Sequence, residues 1–270
     1  MPELPEVETT RRGIAPHLEG QRLTGAVVRQ PRLRYPVTEQ LGAAVRGKTL
    51  VRTGRRGKYL LLETDSGTLL VHLGMSGSLR VLPANTPPGP HDHVDLLFGD
   101  SCLRLRDPRR FGLVLWTTDP PLQHPLLAKL GPEPLSPDFS AGYLHQAGRH
   151  RRTAVKQLIM DSHVVVGVGN IYASEALFRA RILPARQAGR ISLTRYALLV
   201  DAIRDVLARA IEHGGTTLRD FVREDGNPGY FRNELMVYGR TSEPCPHCGA
   251  PVRQRVLGQR STYYCGRCQR

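Results

Sequence analysis

Two places in this chain of 270 residues gather side chains with chemical capacity. The first is its start, Met1-Pro2-Glu3-Leu4-Pro5-Glu6. An initiator Met followed by a small residue is commonly removed, and cleavage here leaves a secondary amine on Pro2. An α-amino group titrates near ~7.7–8.0, so a usable fraction is neutral at physiological pH, unlike an ordinary Lys. Attack by such an amine on a sugar C1′ gives an iminium, an electron sink that acidifies the adjacent carbon. Glu3 and Glu6 stand close by as carboxylates. The fragment also reads as a plain helix start, with Pro5 in the first turn and Glu3, Glu6 and Glu8 at the positive end of the helix dipole.

The second place is the tail. Cys245-Pro-His-Cys248 is followed, sixteen residues on, by Cys265-Gly-Arg-Cys268. Paired CxxC knuckles at this separation match a tetrahedral four-cysteine zinc site. Four sulfurs close the shell, so one structural Zn2+ is expected, holding the tail rather than catalysing, with His247 a bystander. Between the knuckles lies VRQRVLGQRSTYY, a hairpin-sized loop carrying Arg253, Arg255 and Arg260. A basic hairpin stapled by metal presents guanidinium groups well suited to phosphates. Cys102 stands apart in an apolar alternation and reads as a buried thiol.

These groups need a frame. Leu4, Val7, Ile14 and Leu18 recur near period 3.6, which predicts a helix over 3–18. From about 22 to 116 the pattern turns to short strands (LVRT, YLLLE, TLLVHL, SLRVL, HVDLLF, CLRLRD, GLVLW) split by turns, as in a sandwich or barrel-like domain. LGPEPLSPDF (130–139) reads as a linker. Beyond it come helical segments at 153–161, 170–180 and 192–212, with Gly-rich HVVVGVG between the first two. Residues 216–231 begin as a short helix and end in a Gly/Pro loop.

Composition narrows the partner. Lys+Arg 38 against Asp+Glu 24 gives +14, a field that concentrates polyanions, nucleic acid above all. Clusters at Arg52/Arg55/Arg56/Lys58, Arg104/Arg106/Arg109/Arg110 and Arg149/Arg151/Arg152/Lys156 join the tail arginines, as if around one shared anion. No apolar run approaches the ~20 residues of a membrane helix, and the start lacks the apolar core of a signal peptide, so a soluble cytoplasmic chain is expected.

MPELPEVET together with the terminal four-cysteine module resembles the bacterial formamidopyrimidine-DNA glycosylases. These are bifunctional base-excision-repair enzymes that remove oxidised purines. RRGKYLLLE, HLGMSGSLR, HDHVDL, DPRRFG, LGPEPLS, VVVGVGNIYASEALF and GGTTLRDF extend the likeness over the whole chain. The resemblance implies an α+β fold in two domains. An N-terminal helix plus β-sandwich covers 1–132 and a linker 133–150; a helix–two-turn–helix domain over 151–239 then leads to a zinc finger at 240–270. It implies Pro2 as Schiff-base nucleophile, Glu3 as acid/base on the deoxyribose, Glu6 as an active-site carboxylate and Lys58 as proton donor in β-elimination. Arg260 falls to the δ-elimination step. A guanidinium titrates above ~12 and donates protons poorly, so Arg260 suits a phosphate clamp better.

His91, Arg109, Arg151, Lys156 and Asn170 are carried over as DNA contacts, although Asn170 also sits where an N-cap belongs. Met75, Arg109 and Phe111 match the residues that fill the gap left by an everted base. The implied partner of this monomer is duplex DNA with an oxidised purine or abasic site, met at the nucleoid and not at a membrane. The sister endonuclease VIII family, for oxidised pyrimidines, shares the amine, the Lys and the finger but resembles PEGPE rather than PELPE. A zinc-dependent DNA-binding module without catalysis is the other alternative, and nicking of abasic DNA separates it.

Overall fold

The computed structural model describes residues 2–216 and 231–270. They fall into two compact units: Met1–Ala128 with His213–Arg232, and Lys129–Glu212 with Asn233–Arg270.

In the first unit, helix α1 (Leu4–Leu18) is followed by strand β1 (Gly25–Val28), a short helix α2 (Leu41–Val45) and seven strands. These are β2 (Leu50–Arg56), β3 (Tyr59–Thr64), β4 (Gly67–His72), β5 (Ser78–Pro83), β6 (Asp92–Phe98), β7 (Ser101–Arg106) and β8 (Leu113–Thr117). They form two antiparallel four-stranded sheets, ordered β1-β6-β7-β5 and β2-β3-β4-β8. Side chains alternate across a strand, so Leu60 and Leu62 of one sheet and Val94, Leu96, Leu103 and Leu105 of the other share a core. Val7, Ile14 and Leu18 add the apolar stripe of α1 to it. This is the β-sandwich that strand spacing left open against a barrel. The opposite face of β6 buries charge: Asp95 meets Arg104 Nε at 2.8 Å and Arg29 Nη2 at 2.5 Å.

The second unit holds α3 (Ala141–Gly148), α4 (Val155–Met160), α5 (Asn170–Arg179), α6 (Leu193–Glu212) and the hairpin β9 (Arg253–Leu257) and β10 (Arg260–Tyr264). Tyr196, Leu199, Val200, Ile203, Val206 and Leu207 form the buried stripe of α6. Between α4 and α5 the backbone turns sharply, Val164 and Val165 both bonding the Asp161 carbonyl. The segment read as a linker, 133–150, contains α3, started by the Ser140 hydroxyl accepting from Tyr143 N at 3.1 Å. Its prolines end at Pro137, four residues before the helix begins, so composition spoke for half of the segment only. The short helix and loop read at 216–231 lie almost wholly outside the described residues.

Candidate active site and zinc centre

Helix α1 begins with a reciprocal capping box: the Glu3 carboxylate takes the Glu6 N–H, and Glu3 N–H donates to Glu6 Oε2 at 2.8 Å. Pro2, Glu3 and Glu6 are all buried, the two carboxylates at 2% exposure. Glu6 Oε1 also accepts from Thr216 N at 2.8 Å and Thr216 Oγ1 at 3.0 Å. Gly215 permits this approach, since it has φ +80° and a Cβ there would stand 2.9 Å from Glu6 Oε1. Glu6 therefore anchors: it fixes the backbone next to Pro2 and ties it to Thr216. The E-x-x-E spacing that announces the box is visible in the sequence, where the helix dipole alone was invoked.

Lys58 sits, half-buried, in the two-residue turn between β2 and β3, closed by the pair Arg56–Tyr59. Gly57 has φ +57° and Lys58 does not share the left-handed region, which is the II′ arrangement that matches strand twist. Across the next pair of strands Tyr59 faces His72, with ring centroids 4.8 Å apart. Burial, with the charges of Lys58 and Arg34 adding, holds His72 down at about 4, so it is neutral at physiological pH. Its Nδ1 accepts from Gly74 N at 2.9 Å, which leaves the proton on Nε2. His72 was missed because it ends an apolar strand, TLLVHL, and reads there as one more sheet residue.

Met75 and the pair Arg109/Phe111 come from separate loops that one carboxylate staples together. Asp107, fully buried, accepts from Ser76 Oγ at 2.8 Å and Gly112 N at 2.8 Å. Ser76 Oγ in turn accepts from Arg109 N at 3.2 Å. Gly74, at φ +62°, lets the loops close, because a Cβ would meet the Phe111 carbonyl carbon at 2.4 Å. Phe111 is 44% exposed and the Arg109 guanidinium lies 5.1 Å from its ring centroid. An apolar tip and a cation are thus held outward on a fixed base. His91 is half-buried on the neighbouring loop, where Asp107 N donates to its carbonyl at 2.9 Å.

In the second unit Lys156 departs from its expected role as a DNA contact. It is 1% exposed, and its ammonium donates to Asn170 Oδ1 (2.7 Å), Thr262 Oγ1 (2.8 Å) and Ser261 O (3.2 Å). Buried cations persist only when their donors are satisfied, and these are satisfied by protein. Lys156 thus positions Asn170 against the hairpin. Asn170 is the first residue of α5, not its cap: Gly169 holds the cap position. The Asn170 amide nitrogen donates to Ser261 O at 3.0 Å and Tyr238 OH at 3.4 Å. Glu175, another residue the sequence reading passed over, accepts the N–H groups of Met236, Val237 and Tyr238 at 2.8–3.0 Å. Burial raises its pKa against those three bonds.

Arg260 is exposed where β10 leaves a two-residue turn in which Gly258 and Gln259 both have positive φ. Arg151 is exposed as well, 3.9 Å from Asp161. The basic clusters are less uniform than their sequence suggests. Arg52 pairs with Glu63, Arg55 with Glu8, and Arg104 is buried on Asp95, so these three serve the fold. Arg106, Arg109, Arg110, Arg149 and Arg152 remain exposed.

The four cysteines converge. Their sulfurs lie within 4.8 Å of one another, with Cys248–Cys265 at 3.5 Å and Cys245–Cys268 at 3.9 Å. A tetrahedral zinc with Zn–S bonds of ~2.3 Å requires sulfurs ~3.8 Å apart, so the donor set fits. The knuckles pack with Val237, Val252 and Phe178 of α5, and His247 stacks on Phe178 at 5.1 Å rather than joining the thiols.

Comparison with known proteins covers the whole chain. Three family models match: the formamidopyrimidine-DNA glycosylase N-terminal domain over residues 1–114, its H2TH domain over 130–222, and a zinc finger found in FPG and IleRS over 242–270. Formamidopyrimidine-DNA glycosylases of Methylococcus capsulatus and Acidithiobacillus ferrooxidans are each 62% identical over 271 residues, covering 100% of both chains. Among solved structures, the MutM (Fpg) protein of Thermus thermophilus is 42% identical with a TM-score of 0.90, over 99% of this chain and 98% of that one. Lactococcus lactis Fpg bound to abasic-site DNA is 36% identical with a TM-score of 0.92, over 99% of each chain.

Proposed function

The chain belongs to the formamidopyrimidine-DNA glycosylase family, and from that premise we infer that it excises oxidised purines from duplex DNA and then cleaves the strand as an AP lyase. The substrate is duplex DNA carrying 8-oxoguanine, a formamidopyrimidine or an abasic site, the last two of which occupy the Lactococcus lactis complexes. One zinc, on Cys245, Cys248, Cys265 and Cys268, holds the tail. No described helix is long and apolar enough to cross a membrane. We place the enzyme in the cytoplasm, on nucleoid DNA, acting as a monomer.

The observation that carries the catalytic reading is the anchored N-terminus. Glu6 holds the Glu3 N–H and so fixes the peptide plane that joins Pro2 to the helix, while the Glu3 carboxyl, one residue from the Pro2 amine, is held on the Glu6 N–H. The Pro2 nitrogen bonds to C1′ as the C1′–N9 bond breaks, and the purine leaves with the amine proton; the C1′–O4′ bond then breaks, O4′ taking a proton from Glu3, and a ring-opened iminium remains. Glu3 serves the sugar in this step. Loss of a C2′ proton then expels the 3′ phosphate, with Lys58 as proton donor; a second elimination expels the 5′ phosphate and leaves a one-nucleotide gap. Arg260 clamps a departing phosphate rather than supplying a proton. His91, Arg109, Arg151 and Asn170 contact DNA, and Met75, Arg109 and Phe111 fill the space of the everted base. Borohydride reduction on a lesion-bearing duplex, followed by peptide mapping, tests this. The adduct should map to Pro2; an adduct on Lys58, or active enzyme that retains Met1, would sink the mechanism.

A further inference from the structure

Glu8 is 8% exposed, and its two oxygens gather three guanidinium groups. Oε1 accepts from Arg11 Nη2 at 2.8 Å and Arg12 Nε at 2.9 Å. Oε2 accepts from Arg11 Nε and from Arg55 Nε, each at 3.1 Å. Burial pushes the carboxyl up, yet the Arg11 and Arg12 bonds and the charges of Arg11 and Arg55 outweigh it and hold Glu8 down at about 2. Arg11 and Arg12 lie on Glu8's own helix, and such i+3 and i+4 partners serve helix stability locally. Arg55 comes from β2, with its side chain only 13% exposed.

Arg55 makes a second bond. Its Nη1 donates to the Gly57 carbonyl at 2.9 Å. That carbonyl belongs to the peptide unit joining Gly57 to Lys58, inside the II′ turn. A peptide unit is planar, so holding its oxygen fixes the direction in which the chain reaches Lys58. A parallel tie joins the same helix and strand farther from the turn: Arg11 Nη1 donates to Thr53 O at 3.2 Å, and Thr53 N and Oγ1 both donate to Glu19 at 2.7 Å. Of these two ties, the one through Arg55 ends on the turn itself.

We propose that Glu8 and Arg55 form a positioning strut between the helix that carries Pro2 and the turn that carries Lys58, and that this strut governs elimination rather than DNA binding. The proposal rests on the roles given above to Pro2 and Lys58. Glu8 and Arg55 act through geometry alone, without touching the sugar. The planar fork of a guanidinium serves the carboxylate and the carbonyl together, whereas a Lys ammonium at position 55 satisfies the carboxylate alone.

The test uses Arg55→Met, Arg55→Lys and Glu8→Gln in the full zinc-bound protein. For each, the thermal midpoint, KM for a lesion duplex, single-turnover nicking of an abasic duplex and the borohydride-trapped adduct are measured. Nicking should fall roughly ten- to a hundredfold in both Arg55 variants, as small misplacements of reacting groups do, with KM unchanged. Trapped adduct should accumulate, because the iminium forms and its elimination lags. Glu8→Gln should behave like Arg55→Met, and Arg55→Lys should recover the thermal midpoint without recovering nicking. Nicking restored by Lys in step with the midpoint overturns the strut, as does an effect confined to KM. A wild-type adduct on Pro2 with unimpaired nicking by Arg55→Met overturns the strut alone; no wild-type adduct overturns the underlying roles with it.

Discussion

Replacing Arg109 by Ala should erase the enzyme's preference for the base opposite the lesion. Once the damaged purine is everted, its partner is left unpaired, and a cytosine there offers the acceptors O2 and N3. Adenine presents an amino group where an acceptor stood. The Arg109 guanidinium stands 5.1 Å from the Phe111 ring, and the backbone N–H of Arg109 is fixed on Ser76 Oγ at 3.2 Å. A good paired contact to a base carries ~1–3 kcal/mol of discrimination, or roughly ten- to a hundredfold. The ring beneath the cation is worth ~0.5–1 kcal/mol at an exposed site, so Phe111→Ala should erode the preference about two- to fivefold. Arg109→Lys keeps the charge and loses the fork, so it should bind DNA well yet discriminate poorly. The assay is single-turnover excision of 8-oxoguanine opposite C and opposite A. Equal slowing on both duplexes in Arg109→Ala, with the ratio unchanged, would mean that Arg109 holds phosphate only.

Three other expectations are independent of it. Cys265→Ser should lose zinc and DNA affinity while the N-terminal unit stays folded; stoichiometric metal in the purified variant would refute the ligand set. Lys156→Met strands three acceptors in a buried site and should lower stability by about 3 kcal/mol, read in urea unfolding. An unchanged midpoint would show that the ammonium does not hold the hairpin. His72 gives a pH signature: its folded pKa is about 4 against 6.5 unfolded, so its contribution is complete above pH 6.5 and drains away as pH falls toward 4. That amounts to about 3 kcal/mol over the window. His72→Gln should flatten the slope between pH 6.5 and 4.5, and a slope retained there would assign it to other groups.

The elements whose pattern is strongly periodic were legible in the chain: α1, β2 to β8 and α6 all follow their apolar spacing. β1, α2 and α3 were not, being short or lacking a clear period; GAVV and LGAAV are too brief to show one. The zinc ligands were legible because chelation constrains spacing directly. The roles of charged residues were far less so. Nothing local in sequence distinguishes Arg104, buried on Asp95, from Arg106, exposed two residues later on the same strand. Lys156 sits in a run of basic residues, yet its partners Asn170, Ser261 and Thr262 lie as many as 106 positions away. Glu175 was invisible because it is defined by backbone N–H groups, which every residue carries, and Asp107 because it joins one such group to the Ser76 hydroxyl, 31 positions away.

The Asp107 staple bears on how fast a rare lesion is found. A genome presents on the order of 10⁶–10⁹ competing sites, so nearly every trial insertion meets an intact pair. A loose loop would have to be ordered at each trial, at ~0.5–1.5 kcal/mol for each side chain immobilised. With Met75, Arg109 and Phe111 set on loops already locked by Ser76, Gly112 and Asp107, the backbone share of that ordering is complete on folding. What remains is the unstacking of the DNA, a few kcal/mol, and least where the pair is damaged. A rigid probe therefore converts differences in duplex softness into differences in dwell time. On the insertion role proposed above for these three residues, the substrate's own mechanics then enter the search at each step.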